Sequence, residues 1–274
     1  MSERIARADW HNHLRTYCMR EGDLERAVDR ARNALGEGGM LGVVNFADAR
    51  YETLTKQNCS YERQDFENAV YFPQFDLLLV KGEEIATAQG HLLVLGTRSN
   101  NLPKHFMSLE DTMKWARDNN GIAIADHPFS WQGLGEHLRN NPEALSQLDG
   151  IEVYNSEAEF SFFGRYRGAN EKAMEFYCEV APKFQQLGAL ASSDGHSFRE
   201  IGKSWTEMEV PSYKDLRCAE DVVEAMRQGL ASTRKLARFS TRSGAFGALA
   251  HMLTLAPYAA FHSIKSSLTS RTEI

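Results

Sequence analysis

A chain of 274 residues is long enough for one large α/β barrel or two ordinary domains. Its composition, 42% hydrophobic and 25% charged, is that of a soluble globular protein with a real core. A formal net charge of −6 gives the whole molecule no electrostatic bias toward nucleic acid or membranes.

The N-terminal run MSERIARADW has no apolar h-region, so no signal peptide is expected. It leads into Asp9-Trp10-His11-Asn12-His13. Leu24, Ala27, Val28, Ala31 and Leu35 share one face of a predicted helix over 24–35, stopped by Gly36, Gly38 and Gly39. A strand over 41–46 then delivers Phe46-Ala47-Asp48. Residues 51–73 hold charged and aromatic residues without a clear period, which suits either a lid or a surface helix with a connecting loop. Strands over 77–80 and 91–95 flank Gly82-Glu83-Glu84 and Gly90-His91. Ser108 is the expected N-cap of a helix over 107–118. The strand over 121–125 leads to Asp126-His127-Pro128, where the proline should hold His127 extended. Next come a strand over 150–154, a helix over 169–187, and a strand over 189–192 ending in Ser193-Asp194-Gly195-His196. A strand over 204–210 and a helix over 219–228 follow.

This alternation favours a parallel sheet. Ligand-type residues end nearly every strand, so a closed barrel is preferred to an open doubly wound sheet, which gathers its site at one crevice. With no internal repeat or linker, residues 1–230 read as one barrel and 231–274 as a helical extension. That extension carries Arg234, Lys235, Arg238, Arg242, Lys265 and Arg271 against the single acid Glu273. Its apolar run over 245–261 contains His251 and Pro257 and is too short to span a bilayer. The expected role is packing on the barrel or pairing two copies. Cys18, Cys59, Cys178 and Cys218 lack paired spacing, as expected of reduced thiols in a cytoplasmic protein.

His11 and His13 are the strongest local signal, because residues two apart on a strand project to one face and could serve one metal. Asp9 is expected beside them as an acceptor fixing a histidine tautomer. Asp194 and His196 repeat the spacing, and Asp48, Glu84, His91 and His127 complete the candidate ligands. Nitrogen and oxygen donors suit zinc, manganese or iron, and so many exceed one site, so two or three divalent ions are expected. Adjacent ions activate water and hold phosphoryl oxygens, which makes phosphate-ester hydrolysis the natural reaction.

The ordered set DWHNH, GEEI, GHLLVLG, ADHP, GIEVYN, SSDGH and IG resembles the polymerase and histidinol phosphatase (PHP) family over residues 9–202. The resemblance implies a distorted seven-stranded β/α barrel, with up to three metals at the strand C-termini, that hydrolyses phosphoesters. It carries over His11, His13, Glu84, His91, His127, Asp194 and His196 as ligands. Three positions depart from the family pattern. Asp48 stands where a histidine follows Thr-Asp, and Cys18 stands where an acid is usual, with Glu21 or Asp23 as substitutes. Asn155 follows Glu152-Val153-Tyr154. The departures bear on the third metal more than on the first two.

Phosphate needs cationic anchors, and the candidates are Lys81, Arg165, Arg167, Arg199 and Lys203, with Arg199 best placed after His196. The expected enzyme is a metal-dependent hydrolase of a small phosphomonoester or nucleotide-type phosphoester. Asp194, His196 and Arg199 are its expected catalytic groups. The alternatives are a ligand-depleted barrel that only binds, or a metallo-hydrolase of C–N bonds. The acidic body argues against long nucleic acid as a partner.

Overall fold

Parallel strands frame the molecule, which a computed structural model describes for residues 4–14, 19–46, 48–98, 106–160, 168–234 and 238–241. In chain order the elements begin with β1 (Arg4–Asp9), α1 (Asp23–Leu35), β2 (Met40–Asn45), α2 (Arg50–Thr55), β3 (Gln64–Asp65) and β4 (Ala69–Phe72). Then come β5 (Leu77–Ala86), β6 (His91–Leu95), α3 (Leu109–Asp118), β7 (Ile122–Ala125) and α4 (Gly135–Asn140). The rest are β8 (Gly150–Asn155), α5 (Ala169–Val180), β9 (Gly188–Ser192), β10 (Ser204–Val210), α6 (Ala219–Ser232) and β11 (Arg238–Thr241).

The strands form one sheet in the order β11-β10-β1-β2-β5-β6-β7-β8-β9, with the β3–β4 hairpin joined to β5. Strands β1, β2, β5, β7, β8 and β9 are mutually parallel, while β4, β6 and β10 run against them. The Thr206 hydroxyl on β10 donates to the Ala191 carbonyl on β9 (3.0 Å) and accepts from its N–H (2.7 Å), so the barrel is nearly closed. Among the described residues eleven strands stand where the resemblance implied seven, and of the additional ones the short β3–β4 hairpin and β11 had no clear signal in the sequence. The Ser108 hydroxyl caps α3 by accepting from Asp111 N–H, as its type predicts. Helix α5 ends at Val180, short of the expected 187.

Strand alternation decides what each face buries. Leu78, Val80, Leu93, Leu95, Ile122, Ile124 and Leu190 pack inward together with Val222 and Met226 of α6. Leu92, Val94, Ala123, Ile151, Val153 and Ala189 face outward against the helices, as do Leu77 and Leu79 against α1. Full burial of each such Leu, Ile or Val stabilises by about 1.5–3 kcal/mol. The same parity places Glu84, His91, Asp126 and Glu152 on the inward side at one mouth. A Cβ on Gly42 of β2 would sit 2.0 Å from the Trp10 carbonyl oxygen, so only glycine lets β2 approach the segment that follows β1. Trp10 in turn donates its indole N–H to Met40 Sδ at 2.9 Å.

The 51–73 segment is α2 followed by a hairpin, and Tyr51, Leu54, Tyr71 and Phe72 are buried. It is part of the core rather than a lid. The described residues up to Thr241 form one compact unit. The helical extension expected over 231–274 lies outside the described residues except for the end of α6 and for β11. No helix among the described residues is long and apolar enough to cross a membrane.

Candidate metal centre

The mouth is formed by the C-terminal ends of the parallel strands and by the start of β6, which pairs backwards on β5 with His91 opposite Ala86. His11 and His13 follow β1, in a segment clasped to the turn after β9. His13 N–H donates to Gly195 O (2.7 Å), and Gly195 N–H donates to His11 O (3.2 Å). Asp9 seals that clasp. Its carboxylate accepts from Ser193 N (2.9 Å), Ser193 Oγ (2.7 Å) and Gly202 N (2.8 Å). Burial pushes Asp9 up to about 6, and these bonds oppose the shift. Asp9 therefore anchors the Asp194 loop and does not orient a histidine.

The imidazoles line up as one chain. Ring centroids are 5.0 Å apart for His196 and His13, 5.1 Å for His13 and His11, 5.8 Å for His11 and His127, and 5.5 Å for His127 and His91. Among the described residues three donor groups form, each with ligand atoms within 4.8 Å of one another. The first is His11, His13 and Asp194, the second Glu84, His91, Asp126 and His127, and the third Glu157, Asp194 and His196. Glu84 joins the first two. Its Oε2 lies 3.1 Å from His13 Nε2 and its Oε1 3.2 Å from His127 Nε2. Asp194 Oδ1 lies 3.4 Å from Nε2 of both His11 and His13.

Glu152, in the middle of apolar β8, organises this shell. One oxygen lies 3.4 Å from His11 Nδ1 and accepts a short bond from Ser192 Oγ. The other accepts from His127 N (2.6 Å) and from Asn155 Nδ2 (2.8 Å). A carboxylate on Nδ1 fixes the tautomer and leaves Nε2 free to ligate. Asn155, one of the three departures from the family pattern, bridges Glu152 and Asp194 (3.2 Å). His127 (φ 27°) and Asp194 (φ 49°) occupy the left-handed region. Such strain persists only where surroundings enforce it, and it concentrates at functional sites. The extended backbone expected at His127 is absent because the Glu152 carboxylate holds its N–H.

Electrostatics follow from the packing. Burial alone would lower His11, but Asp194, Glu152 and Glu84 outweigh it and hold the imidazole well above its ordinary value. Burial would likewise lower His127, yet Asp126, Glu84 and Asp194 raise it to about 10. Glu84 and Asp194 are held well below the usual carboxylate range, against the upward push of burial, by His91 and His127 around the one and His11, His13 and His196 around the other. Burial raises Asp126 to about 6.

The donor set fits divalent cations. His11 Nε2, His91 Nε2, His127 Nδ1, Asp194 Oδ1 and both Asp126 oxygens are buried without a hydrogen-bond partner. Buried polar atoms in that state are rare, and a buried charge needs a counter-charge. Ligands about 2.1 Å from a tetrahedral ion lie about 3.4 Å from one another, close to the 3.1 and 3.4 Å separations in the first group. In the second group His91 Nδ1 meets Glu84 Oε1 at 2.6 Å, a hydrogen bond that a shared ion would replace. The third group fits least well, since His196 Nδ1 already meets the Asp194 carbonyl oxygen at 2.6 Å.

Other predicted residues lie elsewhere. Asp48 is outside the three groups, its carboxylate held by Arg50 (2.6 Å), whose other arm donates to His13 O (2.6 Å). Lys81 has outward parity and lies buried under α2, 2.6 Å from Glu52 and 3.6 Å from Glu83. Lys203 pairs with Glu200 (2.6 Å). Arg199 is exposed, in the turn that follows His196. Glu21 is exposed, and Asp23 accepts from Arg20 N–H (2.8 Å). Cys18, Arg165 and Arg167 lie outside the described residues. Asp126, Glu152 and Glu157 were not singled out from sequence. A carboxylate interrupting an apolar strand was the available signal for Glu152.

Residues 167–230 match the PHP-associated family. Three solved structures share the fold. PsfC from Pseudomonas syringae PB-5123 superposes with a TM-score of 0.62 at 17% identity, covering 95% of this chain and 100% of its own. A two-domain protein from Bacteroides vulgatus, containing a predicted PHP-like metal-dependent phosphoesterase, superposes with a TM-score of 0.50 at 16% identity, covering 85% of this chain and 64% of its own. The chain has the PHP-like fold. The lesion-specific endonuclease PfuEndoQ from Pyrococcus furiosus shares it too, with a TM-score of 0.53 at 12% identity, over 83% of this chain and 56% of that one. As a PHP-like barrel, the chain carries its candidate ligands at the mouth where the parallel strands end.

Proposed function

We propose that the chain is a metal-dependent phosphoesterase acting on small phosphomonoesters or nucleotide-type phosphoesters, with two divalent ions at the groups that share Glu84. The observation that carries this reading is the unbroken line of five imidazoles beside buried donor atoms that lack partners. Ions bound there would supply a water of near-neutral pKa and positive charge for phosphoryl oxygens. His11, His13, Glu84 and Asp194 would hold one ion, and Glu84, His91, Asp126 and His127 the other. Glu152 keeps the proton on His11 Nδ1 and so leaves Nε2 as the ligating atom. His196 holds its Nδ1 proton against the Asp194 carbonyl oxygen; as the imidazolium it would carry a second proton on Nε2, give it to the leaving oxygen and be left neutral. Arg199, exposed after His196, is the cation for the anionic product.

The test combines elemental analysis of the purified chain with an aryl phosphate assay in manganese or zinc. Replacing His11 and His13 with alanine should remove both bound metal and turnover. Turnover that survives the double substitution refutes the reading. An amide substrate and a phosphodiester run alongside separate C–N hydrolysis and nuclease activity from phosphomonoester hydrolysis. The ligand-depleted alternative has less support, since the first two donor groups stand without Asp48 or Cys18.

A further inference from the structure

Among the described residues, the exposed large hydrophobic side chains are Ile5 (56%), Phe106 (71%) and Trp131 (62%). Ile5 lies in β1 near its start, away from the mouth. The other two flank the β5–β6 connection that links Glu84 to His91. Phe106 N–H donates to Ala86 O (3.1 Å). Gln132, next to Trp131, accepts at its carbonyl from His91 N–H (2.7 Å). The Trp131 ring stands 6.5 Å from the His91 ring at 71°. His91 belongs to the second donor group, so the indole lies at the rim of the metal centre.

The turn that presents Trp131 is fixed from within. Ser130 N–H donates to His127 O (2.8 Å), and Gly133 N–H donates to Ser130 O (3.1 Å). A Cβ on Gly133 would lie 2.4 Å from both the His127 and Pro128 carbonyl oxygens. The turn therefore fixes the backbone that carries the indole, so little backbone entropy remains to be lost on binding. Trp10 and Trp205 are buried and Trp115 is partly buried, so Trp131 alone among the four tryptophans offers an exposed ring. An aromatic face in water beside a charged centre is the arrangement that stacks a planar ring regardless of its edge pattern.

We propose that Trp131 is a stacking platform for a planar ring carried by the leaving group, which makes aryl and nucleoside phosphoesters the preferred substrates over aliphatic ones. This inference rests on the phosphoesterase reading. The test uses the full chain and its Trp131→Ala and Trp131→Phe variants, with metal content checked by elemental analysis. kcat and KM are measured for a nucleoside 5′-monophosphate, 4-nitrophenyl phosphate and glycerol phosphate. Trp131→Ala should raise KM for the two ring esters about tenfold with kcat little changed. Glycerol phosphate should be unaffected, and Trp131→Phe should recover most of the loss. An unchanged KM for the ring esters, or an equal rise for glycerol phosphate, overturns the proposal. A second readout needs no turnover: tryptophan fluorescence of the zinc-loaded chain titrated with a nucleoside phosphonate, whose C–P bond is not hydrolysed. Quenching in the natural chain that disappears in Trp131→Phe supports the platform, and its absence overturns it. If no phosphoester is hydrolysed, the phosphoesterase reading fails and the quenching alone decides the role of Trp131.

Discussion

Strand β5 carries two buried polar clusters on its two sides, and they differ in one respect. On the outward side Lys81, Glu83, Asn45 and Glu52 satisfy one another. Lys81 meets Glu52 at 2.6 Å, and Asn45 donates to Glu83 (2.9 Å) and Glu52 (3.0 Å) and accepts from Tyr51 N–H (2.7 Å). On the inward side Glu84 faces imidazoles and carboxylates of which several atoms have no partner. No partnerless buried atom belongs to the outward cluster. Both clusters bury charge, yet only the inward one keeps polar atoms without a hydrogen-bond partner, and that difference separates a site suited to cations from a structural network.

Substitutions on the two sides should therefore separate stability from metal binding. The largest effect is expected from Asp194→Ala, which removes a donor shared by the first and third groups. Turnover should fall to the uncatalysed background and metal content should drop, while thermal melting still shows a cooperative transition. Lys81→Met should do the converse. Leaving Glu52 and Glu83 without their cation should cost ~3–5 kcal/mol in denaturant unfolding, with metal content at native conditions unchanged. A parallel fall in metal content would erase the distinction between the two clusters. Glu152→Gln comes next, because it acts on metal only through other residues: His11, the His127 backbone, and Asn155, which it shares with Asp194. It should weaken metal affinity ~10–100-fold in competition titrations with a chelator.

The smallest effect concerns pH. Burial alone would lower His127, but its carboxylate neighbours hold it at about 10 against an ordinary 6.5. The metal-free chain should thus keep the whole stabilising contribution of this proton below about pH 6.5 and lose it as pH rises toward 10. Melting temperatures of the metal-free chain should decline across that window. With metal bound the ligating imidazole is already neutral, so the profile should flatten.

The clustered ligands were readable in sequence because each borders an apolar run that folds as a strand, as with Ile122–Ala125 before His127, Gly188–Ser192 before Asp194 and His91 at the start of His91–Leu95. Helix α1 was equally plain, its apolar spacing predicting the buried face of Asp23–Leu35. What stayed hidden depends on the register and direction of side chains. Asp48 looks like a ligand until Arg50 is seen to claim its carboxylate. Lys81 looks like a phosphate anchor until the period of two puts it on the opposite face from Glu84. Glu152 and Asp126 lie within GIEVYN and ADHP, but nothing in those segments singles out the carboxylate, and only closure of the barrel brings Glu152 to His11. The β3–β4 hairpin escaped notice because two residues of strand leave too little pattern to read.

Anomalous diffraction from crystals grown with manganese or zinc bears most directly on the inward cluster. Two peaks are expected, one among His11, His13, Asp194 and Glu84, the other among Glu84, His91, Asp126 and His127. A mouth without peaks at saturating metal, or ions bound only away from Glu84, would contradict the assignment of these atoms as a metal centre.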